Sequence, residues 1–180
     1  IVLTIKDLMK VETYNSCKLL LDHDNIMQKL KRLAYQLSED LYDEKEIVLF
    51  GIKQNGYLLA EELSKKIKEI GTLKVSLYSL SINKKRPHET EINIDVDINS
   101  LNNKNIVIVD DVANTGRIIS YSIKPFLNIL PKKLRTLALV DRKHKAFPVS
   151  VDYAGLSLAT TMKEQIKVEF NKGKVSAYLC

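Results

Sequence analysis

Two short stretches, Glu46–Ile52 and Asn105–Val109, are apolar almost without a break, and a third, Leu134–Val140, is interrupted only by Arg135 and Thr136. A strand with one face in water alternates apolar and polar side chains, so a strand apolar throughout needs cover on both faces. Helices between the strands supply that cover. Asp22-His23-Asp24-Asn25 is rich in helix N-caps; after it Ile26, Leu30, Leu33, Ala34, Leu37 and Leu41 share one helical face, with Lys29, Lys31, Arg32 and Glu39 elsewhere. A second helix carrying Leu58, Leu59, Leu63 and Ile67 follows the tight loop Gly51–Gly56 and is ended by Gly71. A third is expected from about Ile118 to Leu130, with Pro131 beyond it. Lys18–Asp22 is a short apolar run. Lys74–Ser81 and Asp152–Leu158 read as strands, Glu91–Val96 as a short one, and Lys167–Leu179 as a hairpin around Lys172-Gly173. The alternation predicts an α/β fold with a mainly parallel, twisted sheet flanked by helices.

The length of 180 residues fits one domain, 1–180, and not two full ones. A hydrophobic fraction of 45% excludes a disordered chain. No apolar run approaches the roughly 20 residues that cross a bilayer, so no membrane partner is expected. Lys6, Asp7, Lys10 and Glu12 interrupt the start of the chain, unlike a secretory leader, and Ile1 in place of Met makes further residues upstream an expectation. Cys17 and Cys180 allow one disulfide at most, which argues against a stapled secreted scaffold and fits a reducing cytoplasm. The net charge of +6 favours anionic partners, phosphates or nucleic acid alike.

The chemistry concentrates where the strongest strand runs into Asp110-Asp111-Val112-Ala113-Asn114-Thr115-Gly116-Arg117. Open parallel sheets bind ligands beyond the carboxyl ends of their strands. A helix N-terminus after the Thr-Gly turn offers unpaired N–H groups to a phosphate, Gly116 lets the backbone come close, and the Thr115 hydroxyl adds a donor. Two carboxylates repel a phosphate and suit hydroxyls, a metal or a developing cation instead. A ribose 5-phosphate satisfies both halves. A Walker B strand also ends in acidic residues, but no G-x-x-x-x-G-K-[ST] loop accompanies this one. A receiver-domain acidic pair sits near the chain start, and a plain capping role for both aspartates leaves the rest of the run unused.

Val107–Arg117 resembles the phosphoribosyl-diphosphate (PRPP) signature of type I phosphoribosyltransferases. Val48–Ala60 is similar to the pyrophosphate loop, Leu137–Pro148 to the base-binding hood, and Asp152–Gly155 to the strand after the hood, of the pyrimidine-operon regulator/uracil phosphoribosyltransferase (PyrR) family. The resemblance spans about residues 18 to 170. It implies a single-domain phosphoribosyltransferase fold with a flexible lid loop at about 82–98 and a small hood at about 141–160. It implies transfer of ribose 5-phosphate from PRPP to a nucleobase, uracil foremost, with release of pyrophosphate. Asp110 and Asp111 would be catalytic, holding the ribose hydroxyls of an oxocarbenium-like transition state. Asn114, Thr115, Gly116 and Arg117 would bind the 5-phosphate. Lys53, Gln54, Asn55 and Gly56 would meet the pyrophosphate from a loop that often holds a non-proline cis peptide. Lys84, Lys85 and Arg86 would close as the lid, and Val140, Asp141 and Arg142 would read the base, chiefly through backbone groups. Mg²⁺ would be held mostly through ligand and water oxygens, with no protein metal site. The resemblance also implies a homodimer.

The chain departs from that pattern at named places. Asn114 stands where hypoxanthine-guanine enzymes place an Asp near the purine N7, which disfavours purines. Ile118 lacks the usual hydroxyl after the phosphate-loop Arg, Asn55 replaces an Arg, and the lid lacks a Tyr-Arg-Asp-Asp-like stretch. A second function follows from the charge, from Lys29, Lys31 and Arg32 on the first helix, and from the resemblance: a regulator that binds RNA and senses UMP or PRPP, with weak or no catalysis. His23, His88 and His144 are too scattered for a metal site.

Overall fold

The computed structural model describes residues 17–161 and 164–180; the charged start of the chain lies outside them. Its elements are β1 (Lys18–Leu21), α1 (His23–Asp40), β2 (Glu46–Ile52), α2 (Asn55–Ile70), β3 (Lys74–Ser81), β4 (Asn93–Ile94), β5 (Asn105–Ala113), α3 (Arg117–Ser122), β6 (Lys133–Arg142), β7 (Tyr153–Leu158), β8 (Ile166–Asn171) and β9 (Lys174–Leu179). Short 3₁₀ turns occupy Ile98–Leu101 and Lys124–Asn128.

Six strands form the main sheet in the order β4-β3-β2-β5-β6-β7. β3, β2, β5, β6 and β7 run parallel, and β4 closes one edge antiparallel to β3. Period two along each strand divides the core. Ile47, Leu49, Val107 and Val109 face α1 and α2, meeting Leu30, Leu33, Leu59 and Leu63. Val48, Phe50, Ile106 and Ile108 face the other way, onto Phe126 and Leu101; the Phe50 and Phe126 rings meet edge to face at 4.9 Å. The helix boundaries follow the caps: Asn25 N–H donates to Asp22 Oδ1 at 2.8 Å, and Gly71 ends α2 in the left-handed conformation at φ 79°.

Two expectations need correction. The helix from Ile118 to Leu130 is instead α3, ending at Ser122, followed by a 3₁₀ turn that begins at Lys124. Pro125 is the cause: it has no N–H to give, and its ring collides with the carbonyl four residues back. β5 and β6 also run on past their apolar stretches, pairing Asp110 with Ala138 and Ala113 with Asp141. Asp110 and Asp111 therefore stand on the strand and not after it. Tyr153–Leu158, expected as a strand, hydrogen-bonds to β6 as the edge strand of the main sheet. A separate three-stranded antiparallel sheet, β1-β9-β8, is built from both ends of the described chain. Its hairpin turns at Lys172 (φ 49°) and Gly173 (φ 78°), positive at both central positions as a two-residue hairpin loop prefers. Cys17 and Cys180 are disulfide-bonded, Cα atoms 4.2 Å apart, next to the β1–β9 pair Lys18 and Leu179. That bond stands apart from the reducing surroundings suggested by the composition.

Loop 53–56 lies tight against β5. A Cβ on Gly56 would fall 2.7 Å from Val109 O and 3.1 Å from Asp110 Cα, both backbone atoms that cannot move aside cheaply. Gly56→Ala is therefore expected to destabilise the fold by about 1–3 kcal/mol. Urea unfolding checks it: the midpoint should fall at constant slope, and an unchanged midpoint would show that the loop has room.

Candidate functional site

β5 delivers two adjacent carboxylates to the carboxyl end of the sheet. Asp110 is 3% exposed, and its Oδ1 accepts the Asp111 N–H at 3.0 Å. Burial, then the neighbouring Asp111 charge, pushes the Asp110 carboxyl up to about 8. A cation opposes this: Lys84 Nζ, from the 82–98 segment, lies 3.6 Å from Asp110 Oδ1 and 3.9 Å from Asp111 Oδ1. Asp111 Oδ2 accepts from Asn55 Nδ2 at 2.9 Å.

The turn Asn114-Thr115-Gly116 follows at once. Gly116 has φ 82°, and a Cβ there would sit 2.7 Å from Val149 Cγ1. The loop after β6 holds the turn from outside: Ala146 N and Phe147 N donate to Thr115 O at 3.0 and 3.1 Å. Lys145 Nζ donates to Ala113 O at 2.9 Å and Asn114 O at 3.3 Å while paired with Asp141 at 2.5 Å. Arg142 donates through Nη1 to Asn114 Oδ1 at 3.1 Å, through Nε to Thr160 Oγ1 at 2.7 Å and through Nη2 to Thr161 O at 3.0 Å. Backbone and side-chain donors thus hold the turn's carbonyls outward. Arg117 Nη2 reaches Lys84 O at 3.2 Å and ties the lid segment to the turn.

A cavity of about 370 Å³ opens over these groups, lined by Asn55, Lys84, Asp110, Asp111 and residues 112–119. Its far wall is 166–169 of β8. Of the residues expected from the sequence, the structure gathers Asn55, Lys84, Asp110, Asp111, Asn114, Thr115, Gly116 and Arg117 around one space. Lys53 and Gln54 are exposed beside it, joined by a cis peptide as the resemblance implies, and Gly56 packs on β5. Lys85 and Arg86 are exposed, and Arg86 pairs with Glu89 at 3.1 Å. Val140 and Asp141 are buried, and their side chains, like that of Arg142, lie outside the cavity lining. Lys145 falls within the hood resemblance, but its hold on the turn, like the β8 wall, is absent from the sequence expectations. Lys145 follows Asp141 by four residues in a loop, where spacing carries no geometric meaning, and β8 reaches the site only through the second sheet. Among the described residues, no group of three or more His, Cys, Asp or Glu could hold a metal ion.

The family model described as the phosphoribosyl transferase domain matches residues 16–170, so the chain belongs to the phosphoribosyltransferases. The fold agrees. A hypoxanthine phosphoribosyltransferase from Trypanosoma cruzi superposes with a TM-score of 0.72 at 15% identity, covering 89% of this chain and 95% of that one. A hypoxanthine-guanine phosphoribosyltransferase from Bacillus anthracis gives 0.70 at 20%, covering 91% and 99%. Within the class, the chain belongs to the PyrR family. It is 34% identical to the bifunctional protein PyrR of Fusobacterium nucleatum over 158 residues, 84% of this chain and 89% of that one. It is 35% identical to that of Clostridium perfringens over 163 residues, 85% and 90%.

The buried aspartate has a measurable consequence. A carboxyl raised from 3.8 to about 8 on folding binds more protons in the native state than in the unfolded one. Stability of the ligand-free protein therefore falls as pH rises through that window. Asp110→Asn removes the charge and keeps the shape. It should flatten the fall and raise Tm at pH 8 by at least about 2–4 °C, roughly 1 kcal/mol for a chain of this size. A lower Tm with the pH dependence intact would contradict the assignment.

Proposed function

We propose that the protein transfers the ribose 5-phosphate of PRPP to uracil and releases pyrophosphate. One observation carries the reading: Asp110 and Asp111 stand at one end of a cavity whose other end is the Thr115-Gly116 turn. The turn's amides suit the 5-phosphate, and the carboxylates suit the ribose diol between it and C1. As the C1–O bond to diphosphate breaks, positive charge grows on the sugar beside the Asp110–Asp111 pair, and that electrostatic gain exists chiefly in the transition state. The C1–N bond to uracil then forms, and the ring-nitrogen proton passes to the released pyrophosphate. Lys84 rests on the carboxylates without ligand and becomes available to the diphosphate when the ribose takes its place. Lys53 and Gln54 meet the diphosphate from the opposite loop, and Lys85 and Arg86 complete the lid that keeps out water.

Mg²⁺ fits this arrangement. The pair already attracts one cation, Lys84. Asp110 and Asp111 would face it, and it would neutralise charge on the leaving group. For the base, the Asp141 and Arg142 side chains are engaged by Lys145, Asn114 and Thr160. The backbone of 140–142 is likewise engaged, in the ladders to β5 and β7. Asn114 in place of an acid is the feature that favours a pyrimidine. A cytoplasmic homodimer is the working form we infer. Exposed Leu127 and Leu130 offer an apolar surface for pairing, and among the described residues no helix is long and apolar enough to cross a membrane.

RNA binding is the second reading, supported by the +6 charge and by Lys31, exposed on α1 beside half-buried Lys29. Arg32 contributes less than its position suggests, since Nη2 is spent on Ala154 O and Gly155 O at 2.7 and 2.8 Å. Binding of a pyrimidine-operon leader RNA should strengthen with UMP and weaken steeply with salt; salt-insensitive or absent binding removes this reading. The enzymatic reading is tested by a nucleobase panel with PRPP and Mg²⁺. Uracil should be converted to UMP, and the double variant Asp110→Asn/Asp111→Asn should lose about 10²-fold or more in kcat. Failure to convert any base refutes it.

A further inference from the structure

We propose that Asn55 is a positioning residue: its amide clamps the Asp111 carboxylate to the backbone of β8 and so fixes which oxygen faces the ribose. This rests on the PRPP reading of the cavity and goes beyond it by moving Asn55 from the diphosphate to the acidic pair. Asn55 opens α2, and its Nδ2 donates to Asp111 Oδ2 at 2.9 Å and to Val168 O at 2.8 Å. A primary amide has two N–H hydrogens, so both are spent. Nothing remains on that nitrogen for a diphosphate oxygen, and the amide oxygen would repel one.

Two acceptors on one planar NH₂ group fix its rotation and the direction of Oδ2. Asp111 Oδ1 is left on the side of Lys84, 3.9 Å away at the cavity. The neutrality of the donor also matters. A guanidinium at position 55 would pair with Asp111 and draw off the negative charge that a ribose cation needs, whereas the amide orients the carboxylate and leaves its charge intact. The second anchor comes from the small sheet, where Val168 is held in register opposite Ala177 of β9. The clamp makes that sheet, remote in sequence from the acidic pair, part of the catalytic geometry.

The test compares wild type with Asn55→Leu, Asn55→Asp and Asn55→Gln, and repeats Asn55→Leu in an Asp111→Asn background. Leu keeps the branching at Cγ and donates nothing; Asp sets a third carboxylate against the pair; Gln keeps the amide at a longer reach. The expected result is a loss of at least about tenfold in kcat for the Leu and Asp variants, with partial recovery for Gln. The Kd of inorganic pyrophosphate should stay within about twofold, and Asn55→Leu should add little to Asp111→Asn. Weakened pyrophosphate binding with kcat preserved overturns the proposal. So does an equal loss in both backgrounds, or a lower Tm with both constants unchanged. The ¹³C resonance of the Asp111 carboxyl, recorded without substrate, should move in Asn55→Leu, and an unmoved resonance overturns the clamp whether or not the protein turns over. A moved resonance in a protein that neither binds nor consumes PRPP upholds the clamp and removes the phosphoribosyl reading.

Discussion

Two adjacent carboxylates held out of water at the end of one strand are the constraint on which the rest of the structure turns. Like charges so close, in a region of low polarisability, raise each other's free energy and favour the neutral acid. The fold answers with partners of graded strength. Asp110, the more buried, takes a backbone N–H from its neighbour and a lysine ammonium at the edge of contact distance. Asp111, nearer the opening, takes a neutral amide. Neither is locked in a tight bidentate pair. That leaves the pair costly in the free protein and responsive to any ligand that brings hydroxyls or positive charge, a form of electrostatic preorganisation.

The parallel sheet is what makes this possible. In parallel strands the carboxyl ends coincide, so loops after β2, β5 and β6 meet at one rim. Register does the rest. Gly51 lies opposite Val109, and Ala113 lies opposite Asp141, so the 53–56 loop, the phosphate turn and the loop after β6 all abut the acidic pair. The loop after β6 does not line the cavity with its charges. It uses Lys145 and two backbone amides as struts on backbone carbonyls of 113–115, and Arg142 on the Asn114 side chain. A phosphate-binding turn must hold its N–H groups inward, and fixing the carbonyls outward is the complementary half of that task.

The elements that set the site were legible in the residues because each has a local cause. The uninterrupted apolar strand, the acidic pair, the Thr-Gly turn, the Asp22 cap and the Gly71 stop are short-range signals, and the structure has each where the chain places it. What was not legible depends on tertiary register. The strand β5 runs through Asp110 and Asp111 because β6 continues beside it, a fact the polar character of those residues hides. Residues 153–158 join the main sheet because β6 offers an open edge. The β8 wall, and with it the double role of Asn55, requires that the two ends of the described chain meet in a second sheet. The break in the third helix was different: Pro125 was in plain view, and its missing N–H outweighs the apolar spacing around it.

The central claim is that the carboxylate pair recognises a sugar diol while the turn recognises its phosphate. Calorimetric titration with ribose 5-phosphate and with 2-deoxyribose 5-phosphate tests it without reference to any base or turnover. The account predicts that the wild-type protein prefers ribose 5-phosphate by at least about tenfold, as a site built to bond a hydroxyl should. It also predicts that the preference vanishes in Asp110→Asn/Asp111→Asn while both sugars still bind through the turn. Equal affinity of the wild-type protein for the two sugars would contradict it.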